Sequence, residues 1–164
     1  MQYIHLDKNV VAVPRLNCPI DIIFAMDESG SITPSDFELM KSFLTRLITR
    51  LDIDSGNTRV GLVTYYDDIG SGFNLSDHTS LLSIQAAISS LIYGGGGTMT
   101  SIALRYVRTT MLTSAAGDRP NVPNVVVVLT DGQSQIITAT KVSVRPHKCF
   151  FHVLKIWKCN RSRH

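Results

Sequence analysis

The sequence predicts one α/β domain: a doubly wound, mostly parallel sheet with one short antiparallel edge strand and helices on both faces. Three observations predict it. Residues 20–26 (IDIIFAM) and 125–130 (VVVVLT) are nearly unbroken apolar runs rich in β-branched side chains, the pattern of strands covered on both faces. Between them apolar residues recur at helical spacing, so strands and helices alternate as a parallel sheet requires. The chain has 164 residues, 44% of them apolar, which fills one core of ordinary size and not two.

The first strand ends at Asp27, and a helix start follows: Thr33 as cap, Pro34 at the first helical position, Asp36 three residues after the cap. Phe37, Met40, Leu44, Leu47 and Leu51 form its buried stripe, and Phe43 and Ile48 widen it. A turn at residues 54–57 leads to a second strand at 60–65 (VGLVTY). A glycine-bearing turn at 70–72 then precedes a short edge strand at 73–75. Leu81, Ile84, Ile88 and Leu91 mark a second helix ending near Tyr93. Four glycines at 94–97 cannot stay helical cheaply, so the chain turns there. A third helix is expected from Thr98 to about Leu112, with Ile102, Tyr106 and Val107 inward. Residues 116–124 read as a loop, and the strand at 125–130 again stops on an aspartate, Asp131.

Composition narrows the function classes. The net charge is +3, and the basic residues crowd the C-terminal segment. No aromatic-basic alternation accompanies them, so a solvated tail is preferred to a nucleic-acid site. No apolar run approaches the roughly 20 residues that span a bilayer, and the N-terminus does not have the layout of a secretory signal. Cys18, Cys149 and Cys159 lack C-x-x-C spacing, which disfavours a zinc site. They are compatible with one disulfide involving Cys18 or with three thiols. Residues 74–76 (NLS) and 160–162 (NRS) are glycosylation tripeptides, a weak pattern taken alone. Catalytic readings find no footing. The glycine run lacks the Lys-Ser/Thr of a phosphate loop, G-x-S-x-G is absent, and Ser29 stands where an aspartate-based phosphatase would carry a second carboxylate. None of His5, His78, His147 and His152 falls at a strand end of the expected site.

Ligands of open parallel sheets bind beyond the carboxyl ends of the strands, and the polar clusters sit there. Asp27-Glu28-Ser29-Gly30-Ser31 follows the first strand. In an extended loop Asp27, Ser29 and Ser31 would point the same way. Thr130-Asp131-Gly132 follows the last clear strand, and the glycine loop delivers Thr98 and Thr100. Singly, these residues are ordinary turn formers and helix caps. Together, two carboxylates expected to face solvent and three hydroxyls are hard oxygen donors of the kind magnesium takes. Hydroxyl-rich coordination leaves the ion able to attract one more carboxylate from outside.

Residues 18–135 resemble the von Willebrand factor type A domains of collagens, matrilins and integrin α subunits. The resemblance rests on CPIDIIFAMDESGSI, LDIDSGNTRVGLVTY, YGGGGTMT and VVVVLTDGQS. The first and last carry the family's metal-ion-dependent adhesion site, D-x-S-x-S with a distant Thr and Asp. The resemblance implies that Asp27, Ser29, Ser31, Thr98 and Asp131 form the shell of a Mg²⁺ ion, with Mn²⁺ as a substitute. Ser29 and Ser31 would ligate directly, Thr98 mainly in the ligand-engaged state, and one or both aspartates through water. It further implies an extracellular, non-enzymatic adhesion module that binds a Glu or Asp of a protein ligand such as collagen or another matrix protein. An intracellular scaffold domain with Cys18 reduced is the alternative. Residues 1–17 are expected to be an N-terminal extension and 136–164 a divergent basic segment. Of that segment only 149–157 (CFFHVLKIW) is strand-like, and the family's final strand and helix are expected to be missing. Self-association through an uncovered sheet edge would follow.

Overall fold

The computed structural model describes residues 19–131 and the backbone of one further strand, Cys149–Lys155. The order is β1 (Ile20–Asp27), α1 (Pro34–Ile48), β2 (Thr58–Tyr65), β3 (Ile69–Phe73), α2 (Leu81–Ser89), α3 (Thr100–Tyr106), β4 (Asn124–Thr130) and β5 (Cys149–Lys155). The five strands lie in the order β3-β2-β1-β4-β5. All pairs are parallel except β2 with β3. The chain moves from β1 outward to β2 and β3, then returns to place β4 on the other side of β1. Strand order therefore reverses between β1 and β4, and a crevice opens above their carboxyl ends.

Each face of the sheet has its own core because strand side chains alternate. Ile22, Phe24 and Met26 of β1 and Leu129 of β4 pack with Phe37, Met40, Leu44 and Ile48 of α1 and with Ile84 and Ile88 of α2. Ile23 and Ala25 of β1 and Val126 and Val128 of β4 pack against Ala103, Leu104, Val107 and Met111. Leu44 is fully buried, and cutting such a side chain to alanine costs about 2–5 kcal/mol. The cap of α1 is as expected: the Thr33 hydroxyl accepts the Asp36 N–H at 3.2 Å and donates to the Asp36 carboxylate at 2.7 Å.

Several expected boundaries move. The edge strand is Ile69–Phe73, upstream of the predicted 73–75, because Gly70 and Gly72 are strand residues and not a turn. A Cβ at Gly72 would collide with the Leu62 carbonyl and one at Gly70 with Glu28 and Thr64. These glycines are what lets the strand pair so closely. The third helix starts at Thr100 and not Thr98, and it passes at Val107–Met111 into a π-helical turn. Ala103, Leu104, Val107 and Met111 face inward, while Ile102 and Tyr106 are only half-buried. Phe43, expected to widen the α1 stripe, is 45% exposed, whereas Lys41 is buried and its ammonium donates to the Leu91 carbonyl at 3.1 Å. β5 pairs with β4 from Asn124 opposite Cys149 to Thr130 opposite Lys155, so β4 has neighbours on both sides. The expected loss of a final strand and helix falls outside the described residues.

Candidate metal centre

The parallel register sets Met26 opposite Leu129, which brings Asp27 beside Thr130 where the two strands end. Both oxygens of Asp27 are engaged. Oδ1 accepts the Ser29 N–H at 2.9 Å, and Oδ2 accepts the Thr130 hydroxyl at 2.7 Å. The Asp27–Ser29 bond folds the backbone over, and the Ile32 N–H closes a turn on the Ser29 carbonyl at 2.9 Å. The segment is thus a bend and not the extended loop expected from its alternation. The hydroxyls still converge, because the bend sets Ser29 Oγ 3.1 Å from Ser31 Oγ. Asp131 follows Thr130 directly and is half-buried.

The glycine loop docks onto this bend through its backbone. The Gly30 N–H donates to the Gly96 carbonyl at 2.6 Å and the Gly95 N–H to the Glu28 carbonyl at 3.1 Å. Gly96 has φ +125°, which side chains rarely adopt, and a Cβ there would strike Tyr66. Farther along, the Gly97 N–H donates to Asp67 at 2.8 Å and the Met99 N–H to the Tyr66 carbonyl at 2.9 Å. Thr98 is carried between these anchors, 7% exposed. Because α3 begins at Thr100 with Met99 in the cap position, Thr98 is not a helix cap. Its hydroxyl makes no hydrogen bond among the described residues.

Asp27 is fully buried, contrary to the solvent-facing position expected from the sequence. Strand β1 runs one residue farther than its apolar text and carries the carboxylate in with it. Burial pushes its pKa up against the hydrogen bonds of Ser29 and Thr130, and the nearby Asp131 charge pushes the same way. Below it, burial and the charges of Asp27 and Asp131 hold the proton on Tyr65 well above the usual phenol range. The described ion pairs are Lys41–Glu38 and Arg119–Asp21, so no described Lys or Arg neutralises Asp27. The described residues contain no group of three His, Cys, Asp or Glu suited to a metal. A cation here would therefore take hydroxyl oxygens with the carboxylates. The donor set fits a hard divalent ion, which would supply the missing countercharge.

The sequence profile of the family described as von Willebrand factor type A domain matches residues 21–148. The chain belongs to that family. Matrilin-1 of Gallus gallus is 37% identical over 116 residues, covering 71% of this chain and 24% of that protein. The collagen alpha-4(VI) chain of Mus musculus is 39% identical over 118 residues, covering 71% of this chain and 5% of that one. The type A domain thus spans about a quarter or less of the curated relatives it matches. Among solved structures, proximal thread matrix protein 1 from the mussel byssus, with a zinc-occupied MIDAS motif, superposes with a TM-score of 0.70 at 26% identity. That match covers 83% of this chain and 35% of that one. No described helix is long and apolar enough to cross a membrane.

Among the anticipated residues, Asp27, Ser29 and Ser31 are linked by hydrogen bonds, Asp131 lies within electrostatic reach of Asp27, and Thr98 rides a loop tied to residues 28–30. Sequence reasoning missed Glu28, Thr130 and Tyr93 as organisers. Glu28 is buried, and its carboxylate accepts the Thr64 hydroxyl at 3.0 Å and the Gly94 N–H at 3.1 Å. Burial raises its pKa against those two bonds. The Tyr93 hydroxyl donates to the Ile32 carbonyl at 2.7 Å, fastening the bend from the helix side. Strand alternation was the available signal, since Glu28 follows Phe24 and Met26 onto the α1 face.

Proposed function

We propose that this domain is a divalent-cation-dependent adhesion module. Asp27, Ser29, Ser31, Thr98 and Asp131 hold the ion, and a Glu or Asp of a protein ligand completes its coordination. The observation that carries this reading is Asp27, a fully buried carboxylate at the meeting of two strand ends with a pair of hydroxyls beside it and no described basic partner. Removing a charge from water costs several kcal/mol unless something compensates it. The bound ion supplies that compensation and an electrophilic position for the ligand carboxylate. Thr98, whose hydroxyl makes no hydrogen bond among the described residues, changes its distance to the ion when ligand arrives in this reading.

Mg²⁺ is the expected ion and Mn²⁺ its substitute, because oxygen-only donors suit hard cations and Ca²⁺ asks for more oxygens at longer distance. The matrilin and collagen relatives support an extracellular setting and a matrix protein, such as a collagen, as ligand. The site reads as binding rather than catalytic. His78 stacks edge-on against Phe73, and Lys41 is spent on Glu38 and Leu91, so neither reaches the crevice as a proton carrier.

Titrating Mg²⁺ into the chain while following thermal unfolding tests the site, because an ion bound only by the native state stabilises it by about 2.7 kcal/mol at a hundredfold excess over Kd. Binding to immobilised matrix protein is expected to vanish in chelator and return with Mg²⁺ or Mn²⁺. A midpoint unmoved by Mg²⁺, Mn²⁺ and Zn²⁺ would overturn the reading.

A further inference from the structure

The edge strand β3 runs antiparallel to β2, with Ile69 opposite Tyr65 and Phe73 opposite Leu62. The chain leaving Phe73 therefore heads away from the carboxyl end of β2 and from the metal centre. It enters a turn made of Asn74, Leu75, Ser76 and Asp77, in which the Asp77 N–H donates to the Asn74 carbonyl at 3.3 Å. The middle residue, Leu75, is 1% exposed and packs into the α3-side core. Its burial turns its two neighbours outward: Asn74 is half-exposed and Ser76 exposed.

Asparagine in such a turn ordinarily spends its side chain on the local backbone. Here that task belongs to Asp77, whose carboxylate accepts the Asn74 N–H at 2.7 Å. The Asn74 side-chain amide makes no hydrogen bond among the described residues, and neither does the Ser76 hydroxyl. Behind the turn, Gly117 at φ +91° sits so close that a Cβ there would lie 2.7 Å from Ser76 N, so the tripeptide is backed by main chain. No proline occupies the middle position or the one after the serine.

We propose that Asn74 is an N-glycosylation site. The co-reactant is a lipid-diphosphate-linked oligosaccharide presented by a transferase of the secretory pathway. The Asn74 Nδ2–C1 bond forms as the C1–O bond to the diphosphate breaks; the amide gives up one proton and the lipid diphosphate leaves with the electron pair. The inference rests on the extracellular part of the proposed function, not on its metal. The glycan stands on the edge-strand side at the end of the sheet remote from Asp27, so it leaves the metal crevice open.

The test is to express the full chain behind a cleavable secretory leader in eukaryotic cells, with Asn160→Gln removing the other tripeptide. The secreted protein is then deglycosylated enzymatically in heavy-oxygen water and its peptides mapped. The expected result is label at position 74, lost in Asn74→Gln and in Ser76→Ala and kept in Ser76→Thr. A secreted, cooperatively melting chain with unmodified Asn74 overturns the proposal. The Mg²⁺-dependent midpoint shift, read on the same samples, reports on the metal centre separately and is expected to survive Asn74→Gln. A missing glycan with the shift intact sinks this inference alone, and a glycan with a flat midpoint sinks the metal reading alone.

Discussion

Strand β1 buries an aspartate at each of its ends, and the two are treated differently. At the amino end, Asp21 is fully buried and meets Arg119: the guanidinium lies 2.7 Å away and the Arg119 backbone N–H donates at 3.0 Å. Arg119 also donates to the carbonyls of Ile20, Gly56 and Asn57, so the charge pair is locked into the main chain. At the carboxyl end, Asp27 is equally buried, but among the described residues its partners are the uncharged Ser29 and Thr130, with a second carboxylate nearby. The lower end carries its own cation. The upper end has the same need and meets it from solution under the proposed function, which is how a binding site differs from a structural ion pair of similar burial.

The largest expected effect breaks the self-contained end. Arg119→Ala leaves Asp21 buried without its cation and is expected to cost about 3–5 kcal/mol in urea unfolding, with or without Mg²⁺. A loss that Mg²⁺ rescues would mean that the two ends are not independent. Next comes the same substitution at both ends. Asp27→Asn should abolish the Mg²⁺ stabilisation of about 2.7 kcal/mol at hundredfold excess, while the metal-free protein melts no lower than the wild type. Asp21→Asn should instead lower the metal-free midpoint and leave the Mg²⁺ increment whole. Equal behaviour of the two variants would remove the distinction between the ends.

Smaller effects sharpen where the upper site stops. Glu28→Ala leaves the Gly94 N–H without its acceptor and the Thr64 hydroxyl with the Ser71 carbonyl alone, and an expected loss of about 1–3 kcal/mol should come with weaker Mg²⁺ binding because the Thr98 loop loses an anchor. Calorimetry on Glu28→Gln, which keeps an acceptor, should recover most of both. Thr33→Ala removes the α1 cap and should cost about 1 kcal/mol with no change in Mg²⁺ affinity. A change in affinity would extend the site beyond Ser31.

Much of this was legible in the sequence because apolar text and strand geometry say the same thing. Residues 20–26 and 125–130 could be little other than buried strands, and the two aspartates closing them name the crevice. What stayed hidden depended on main-chain geometry. The glycines of β3 looked like a turn because close strand approach and chain reversal both favour the smallest residue. Along α3 the rotation of the main chain decides: Ile102 and Tyr106 share one helical spacing and Ala103, Leu104, Val107 and Met111 another, and the second is the buried one. Asp27 read as solvent-facing because charged residues rarely sit in a core; its burial follows from strand length, which apolar content underestimated by one residue. Glu28 was passed over because it occupies an unspecified position of the motif, although its carboxylate ties the glycine loop to the sheet.

The alternation along β1 has one more consequence. Ile23 and Ala25 face α3 while Phe24 and Met26 face α1, and the next two residues continue the count, with Asp27 on one side and Glu28 on the other. Hydrocarbon packing therefore serves as a ruler for charge: a one-residue slip of the strand would present the loop anchor where the metal carboxylate belongs, and would also turn every greasy side chain to the wrong layer. A misregistered strand cannot mimic a working site, so the penalty that polices folding proofreads the chemistry as well.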